Sequence, residues 1–249
     1  MTETYDPFWQ TGQDAREYDE YTRTTFARIF PVIANQILER TGITRGTCLE
    51  VGSGPALLAI ALALLSELRV TALDSSPAMY ELARRNIRDR CMEDLVVPVI
   101  GDVRAIPAAA ATFSLVVSRG SYHSWEDLSA AFREIFRVLK PGGMAYIGGG
   151  YGSARIREDV YASRREHGIL YSPAYPAKSR FRKIGVSEIE AAIEAAGISD
   201  HRIISDDSGF WIIFRKDAEE QKDRHGPVLG TKTGLKNPLH FHDGFFFIE

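Results

Sequence analysis

Apolar positions along this chain fall into two rhythms. Short, mainly apolar runs stand at residues 47–51, 69–73, 95–100, 113–118 and 144–149, each closed by glycine, aspartate or serine. Runs this short and this apolar read as strands buried on both faces. Between them, apolar residues recur at helical spacing. Residues 56–65 are apolar throughout, and 78–90 form a second helix opened by Pro77. Across 126–140, Leu128, Ala131, Phe132, Ile135, Phe136 and Leu139 share one face. This alternation predicts an α/β fold with a parallel sheet between helices. The ending differs. Residues 186–196 predict a helix with Ser187 as N-cap and Gly197 as its stop. Residues 201–205 and 210–215 then predict a hairpin joined tightly through 206–209. At the front, 14–30 carries Tyr18, Tyr21, Phe26 and Ile29 at helical spacing, Pro31 breaks the pattern, and 32–40 continues it to Gly42.

One joint in this pattern carries chemistry. In residues 47–63 a strand runs through Gly52-Ser53-Gly54 into an apolar helix, with Pro55 where the helix starts. Such a turn presents unpaired backbone N–H groups at the positive end of a helix dipole, a place for a nucleotide-like ligand. The dinucleotide pattern G-x-G-x-x-G fails here, because Leu57 takes the third glycine's place. Asp74 ends the second strand, where an acid accepts the hydroxyls of a ribose; the same placement suits a helix N-cap. Ser75 follows it, and Met79 falls in the next helix's first turn, placed to line an adenine. The fourth strand ends in the stretch 118–127, SRGSYHSWED. Ligands of open α/β sheets bind at such carboxyl ends. The glycines 148–150 require a sharp bend or a close approach of another chain segment.

Composition narrows the classes. With 249 residues, 45% apolar and 25% charged, the chain suits one large globular domain. A net charge of −3 gives no basic footprint for nucleic acid. Two cysteines, Cys48 and Cys91, make no disulfide framework and fit a reduced, cytoplasmic protein. No run is long enough for a membrane span, and the first ten residues lack a signal pattern. His240, His242 and Asp243 are metal-capable but too few, in an extended tail, to predict a metal.

Glu50, Gly52 and Gly54, with Ala56 in place of a final glycine, resemble motif I (E/D-x-G-x-G-x-G) of the class I S-adenosylmethionine (SAM) methyltransferases. Residues 132–150, FREIFRVLKPGGMAYIGGG, resemble a late segment of the same family, and the likeness runs from about 48 to 215. It implies a Rossmann-like three-layer sandwich with strand order 3-2-1-4-5-7-6, strand 7 antiparallel, and N-terminal lid helices. It divides the chain into an arm and lid (1–42), a SAM-binding domain (43–216) with an acceptor-site insertion (151–184), and a C-terminal extension (217–249). SAM is the implied cofactor and S-adenosylhomocysteine the product. A carboxylate at Glu50 suits the cofactor's cationic amine and sulfonium and would repel a diphosphate. Implied cofactor-binding positions are Tyr21, Glu50, Gly52, Ser53, Gly54, Asp74, Ser75, Met79, Asp102, Val103, Ser118, Arg119 and Gly120. Asp102 would meet the adenine amino group. For catalysis, His123 is either a general base or a structural residue, Tyr122 lines the pocket or donates to the acceptor, and Arg119 holds an acidic acceptor or pairs with a carboxylate. The expected partner is a small-molecule acceptor, with neither nucleic acid nor membrane, in a monomer or homodimer. A protein or RNA methyltransferase and a non-catalytic SAM-binding protein are the alternatives.

Overall fold

The computed structural model describes residues 12–166 and 184–218, all within one unit, Met1–Glu219. The apolar runs form the strands β1 (Arg45–Val51), β2 (Glu67–Asp74), β3 (Val96–Ile100), β4 (Phe113–Arg119), β5 (Leu139–Gly149), β6 (His201–Asp206) and β7 (Gly209–Arg215). They build one seven-stranded sheet in the order β3-β2-β1-β4-β5-β7-β6. β7 runs antiparallel to both β5 and β6, and the other pairs are parallel. The helices are α1 (Gly12–Thr25), α2 (Ile29–Thr41), α3 (Leu57–Leu65), α4 (Pro77–Arg88), α5 (Leu128–Val138), α6 (Ala154–Glu166) and α7 (Val186–Ala195).

The period of two along each strand separates the core into two layers. Cys48, Leu115, Val117, Tyr146, Trp211 and Ile213 face one way and pack with α2, α3 and α4. Leu49, Val51, Val116, Ala145, Ile147, Ile212 and Phe214 face the other way and pack with α5 and α7. A strand buried on both faces is apolar at nearly every position, which is why these runs do not alternate. The arm (1–11), most of the insertion (167–183, with His167, Tyr171 and Tyr175) and nearly all of the extension (219–249, with His240, His242 and Asp243) lie outside the described residues. Among the described residues, no helix is long and apolar enough to cross a membrane.

Three local expectations need correction. Pro31 does not divide the front helices; the break falls between Thr25 and Ile29, and Pro31 sits in the first turn of α2. No hydrogen bond is lost there, since the first turn's N–H groups have no partner in the helix. Ser187 is not the N-cap of α7, which starts after Gly185 with no side-chain cap. The fifth strand does not begin at residue 144: β5 starts at Leu139, and its register shifts against β4 between Phe113 and Leu115.

The glycines 148–150 mark a close approach. A Cβ on Gly148 would stand 2.1 Å from the Phe210 carbonyl oxygen, and one on Gly150 would stand 2.0 Å from that of Ser208. The terminal hairpin therefore lies against bare backbone. Side chains lock it: Gln36 Nε2 donates to Tyr146 Oη (2.5 Å) and Ser208 Oγ (3.1 Å), and Trp211 Nε1 donates to Ser208 Oγ (3.0 Å). Gly148→Ala is expected to destabilise the fold by at least about 2 kcal/mol, as overpacking against backbone does. Gly142→Ala, with a φ of 77° and open space around it, should cost only about 1 kcal/mol. Urea unfolding of the two variants checks the contrast.

Candidate cofactor and active site

Between β1 and α3 the backbone turns through left-handed residues: Gly52 (φ 65°), Gly54 (52°) and Ala56 (61°). Pro55 therefore does not open the helix; Ala56 is its N-cap and offers no side-chain bond. The position that motif I gives to glycine is demanding in conformation, not only in size, and an alanine there bears about 1–2 kcal/mol of strain. The missing cap comes from the strand. Glu50, 3% exposed, accepts from Ala59 N–H in the first turn of α3 at 2.8 Å. Gly52 is also held bare by packing, since a Cβ there would meet Ser121 Cβ at 2.3 Å.

A second carboxylate fastens the loop from β2. Asp74 Oδ2 accepts from Gly54 N–H (2.8 Å) and Oδ1 from Ser76 N–H (2.9 Å). Asp74 is thus not the cap of α4; that is Ser76, which accepts from Met79 N–H. Burial raises the Asp74 carboxyl above its ordinary range, and its backbone donors pull it back. Burial pushes Glu50 further, up to about 8, against the opposing bond from Ala59 and the charge of Arg119.

A cavity of about 230 Å³ opens over this loop, at the carboxyl ends of β1, β2 and β4. Of the positions expected from the sequence, Gly52, Gly54, Asp74, Ser75, Met79, Asp102, Val103, Arg119 and Gly120 line it together. Glu50, Ser53, Ser118, Tyr122 and His123 do not line it. The side chain of Tyr21 lies outside the described residues. Glu50 sits beneath the loop as the cap of α3, and Ser118 Oγ bonds Ser121 Oγ (2.6 Å), which donates to Val51 O. Ser53 Oγ is buried without a hydrogen-bond partner. Tyr122 is 4% exposed, with its ring 3.8 Å from that of His123 and 6.4 Å from that of Phe210. Burial pushes its phenol up to about 12.

Tyr18, expected with Tyr21 from the lid helices to face the cofactor or the acceptor, lines the cavity. The lining also holds residues that the sequence pattern did not single out for binding: Arg104, Ser121, Ser124, Trp125 and Glu126. Arg104 joins Asp102 (Nη2–Oδ2, 2.6 Å) and Glu126 at the rim, and its hydrogen bonds hold the Asp102 carboxyl below its usual range. The nearness of residue 104 to residue 126 was the missing signal, and only the fold supplies it. Arg119 stands over two rings, Phe26 between α1 and α2 and Phe30 in α2, its guanidinium carbon 5.3 Å from the Phe26 ring centre and 5.6 Å from that of Phe30. Its Nε and Nη2 both donate to Gly150 O, at 3.3 and 3.0 Å.

Comparison with known proteins follows this geometry. The methyltransferase-domain family matches residues 49–147. A Methanococcus maripaludis structure, named for S-adenosyl-L-methionine-dependent methyl transfer, is 40% identical. The match covers 89% of this chain and 99% of that one, with a TM-score of 0.77. The chain belongs to the SAM-dependent methyltransferases. An uncharacterized methyltransferase of Bacillus subtilis is 32% identical over 112 residues, and the demethylmenaquinone methyltransferase of Chlorobaculum parvum is 33% identical over 99. Those matches take in 44% and 40% of this chain, and 60% and 39% of the relatives' own length.

SAM, the cofactor of this methyltransferase family, fits the donor set. Asp74 and Asp102 offer acceptors, while Leu73, Met79, Val103 and Trp125 offer apolar contact for a base. The cationic side chains of the lining are Arg104, already between two carboxylates, and Arg119 on a carbonyl; neither makes a diphosphate clamp. The raised Glu50 has a consequence for stability. The folded protein keeps a proton that the unfolded chain loses near pH 4.5. Stability therefore falls as pH rises from there through about 8, by up to about 1.4 kcal/mol per pH unit. Glu50→Gln is expected to remove that fall, so its stability relative to wild type should improve between pH 5 and 8 in the absence of cofactor. Denaturant titrations across that range test this; a constant difference would return Glu50 to its ordinary pKa.

Proposed function

We propose that this methyltransferase moves the methyl group of SAM to a small-molecule acceptor by direct displacement, releasing S-adenosylhomocysteine. The observation that supports this most is one cavity, lined at once by the glycine loop, by Asp74 and Asp102, and by Arg119 with Gly120 at the end of β4. SAM supplies an activated methyl group on its sulfonium. In this reading the chain binds and aligns. Asp74 and Ser75 take the ribose side, Asp102, Val103 and Met79 take the base, and Gly52 and Gly54 let the backbone approach. Arg119, backed by the rings of Phe26 and Phe30, faces an anionic group of the acceptor or the cofactor. The Chlorobaculum relative's name, a methyltransferase of demethylmenaquinone, supports a small-molecule acceptor. The net charge of −3 and the free thiols of Cys48 and Cys91 support a cytoplasmic protein with no nucleic-acid partner.

Since His123 and Tyr122 stand outside the lining, alignment carries the reaction more than a dedicated base does. His123→Ala is expected to keep turnover within about tenfold, whereas loss of a general base costs roughly 10²–10⁴-fold. A loss in that higher range would make His123 the base. The primary test incubates the protein with methyl-labelled SAM and a size-fractionated cell extract. Label is expected in the small-molecule fraction. Label in protein or RNA would replace this reading with a macromolecular one, and SAM binding without any transfer would favour a non-catalytic SAM-binding protein.

A further inference from the structure

A buried carboxylate outside the cavity has no part in the proposed chemistry. Asp19 of α1 is 1% exposed. Its Oδ2 pairs with Arg23 Nε at 3.0 Å, one turn along the same helix, and with Arg85 of α4. Its Oδ1 accepts from Asn86 Nδ2 at 2.8 Å. The same amide nitrogen donates to the carbonyl of Pro55 at 3.1 Å. Asn86 is itself 1% exposed, so a single buried amide joins α1 to the glycine loop. The neighbouring residue, Tyr18, lines the cavity. It packs with Met79, Leu82 and Ala78 of α4, and its Cε1 would lie 3.8 Å from a Cβ on Gly54.

We propose that Asp19 is a positioning residue of the cofactor cavity: through Arg85 and Asn86 it pins α1 to α4 and to the glycine loop, and so holds Tyr18 as the wall that retains the cofactor. Buried charge-assisted hydrogen bonds are the strong ones, and a partner left behind in the interior is costly. α1 is predominantly polar, and among the described residues it meets α4 through one small apolar cluster, Tyr18 with Ala78, Met79 and Leu82. The ionic contact therefore carries much of its hold. The main core lies elsewhere, between the sheet and the helices of its two faces. Loosening α1 should leave that core intact and change how fast the cofactor leaves.

The inference rests on the cavity being the SAM site, and the experiment separates the two. The full chain is mixed with S-adenosylhomocysteine in a stopped-flow instrument, with intrinsic tryptophan fluorescence, to which Trp125 in the cavity contributes, as the signal, and the melting temperature is measured without ligand. Wild type must first bind. If it does not, the SAM reading fails and this inference with it. Asp19→Asn is expected to dissociate roughly ten- to hundredfold faster, with little change in melting temperature. Arg85→Gln, a substitution on the partly exposed face of α4, should act in the same direction and keeps the test available if Asp19→Asn does not fold. If Asp19 acts through Tyr18, the Asp19→Asn effect should largely vanish in a Tyr18→Ala background, as residues acting in series are non-additive. Bound ligand with an unchanged dissociation rate in Asp19→Asn and Arg85→Gln would overturn the latch alone. Full additivity with Tyr18→Ala would also overturn it, as would a rate change matched by a general loss of stability.

Discussion

The site depends on how the backbone N–H groups between β1 and α3 find partners. Left-handed residues at 52, 54 and 56 turn the chain sharply between the strand and the helix. A helix start of this kind leaves N–H groups without intrahelical acceptors. Here, side chains from two adjacent strands supply the acceptors: Glu50 of β1 takes Ala59 N–H, and Asp74 of β2 takes those of Gly54 and Ser76. Because β1 and β2 are paired in register, with Glu50 opposite Ala72, both carboxylates arrive at the same end of the sheet. The cavity above is a consequence of that arrangement.

The rest of the sheet serves the same end at a distance. β4 brings Ser121 against Gly52, so the loop cannot carry a side chain there. β5 brings bare glycines up to the terminal hairpin, and the carbonyl of Gly150 catches Arg119. Arg119 thereby stands between the hairpin, the rings of Phe26 and Phe30, and the cavity. Arg119 is thus one direct link from Gly150, beside the hairpin, to the cavity lining.

Much of this was legible in the sequence because it rests on local signals. Continuous apolar runs marked strands buried on both faces, and the turn around Gly52 marked the loop. Asp74 and Arg119 were legible from their places at strand ends, and Asp102 from the family resemblance. What was not legible depends on contacts between distant segments. The acid in β1 reads as a partner for a cationic ligand, but its first bond is to a helix N–H nine residues on, because Ala56 has no side chain to cap with. Tyr122 and His123 follow a strand end, yet the short 3-10 turn Tyr122–Ser124 rotates Tyr122 into the core and leaves Ser121, Ser124 and Trp125 on the cavity wall. No periodicity announces that rotation. Nor does any announce the pairing of Arg104 with Glu126, which depends on how two loops meet.

The protonation of Glu50 follows from electrostatics. A carboxyl buried beneath a loop is inexpensive while protonated, and its pKa of about 8 keeps it mostly so at neutral pH. A unit positive charge within about 6 Å, at an effective dielectric constant near 20, contributes roughly 3 kcal/mol. That corresponds to about two pKa units, enough to return Glu50 to its anionic form near neutrality. The empty protein thus keeps a neutral cap on α3, and a cationic ligand would convert the same group into its counter-charge with the release of a proton. A diphosphate would drive the group the other way, deeper into its protonated form. On the proposed SAM reading, the burial of this one carboxyl beneath the loop would favour a cationic ligand over a diphosphate, beyond what the glycines that both classes use would do.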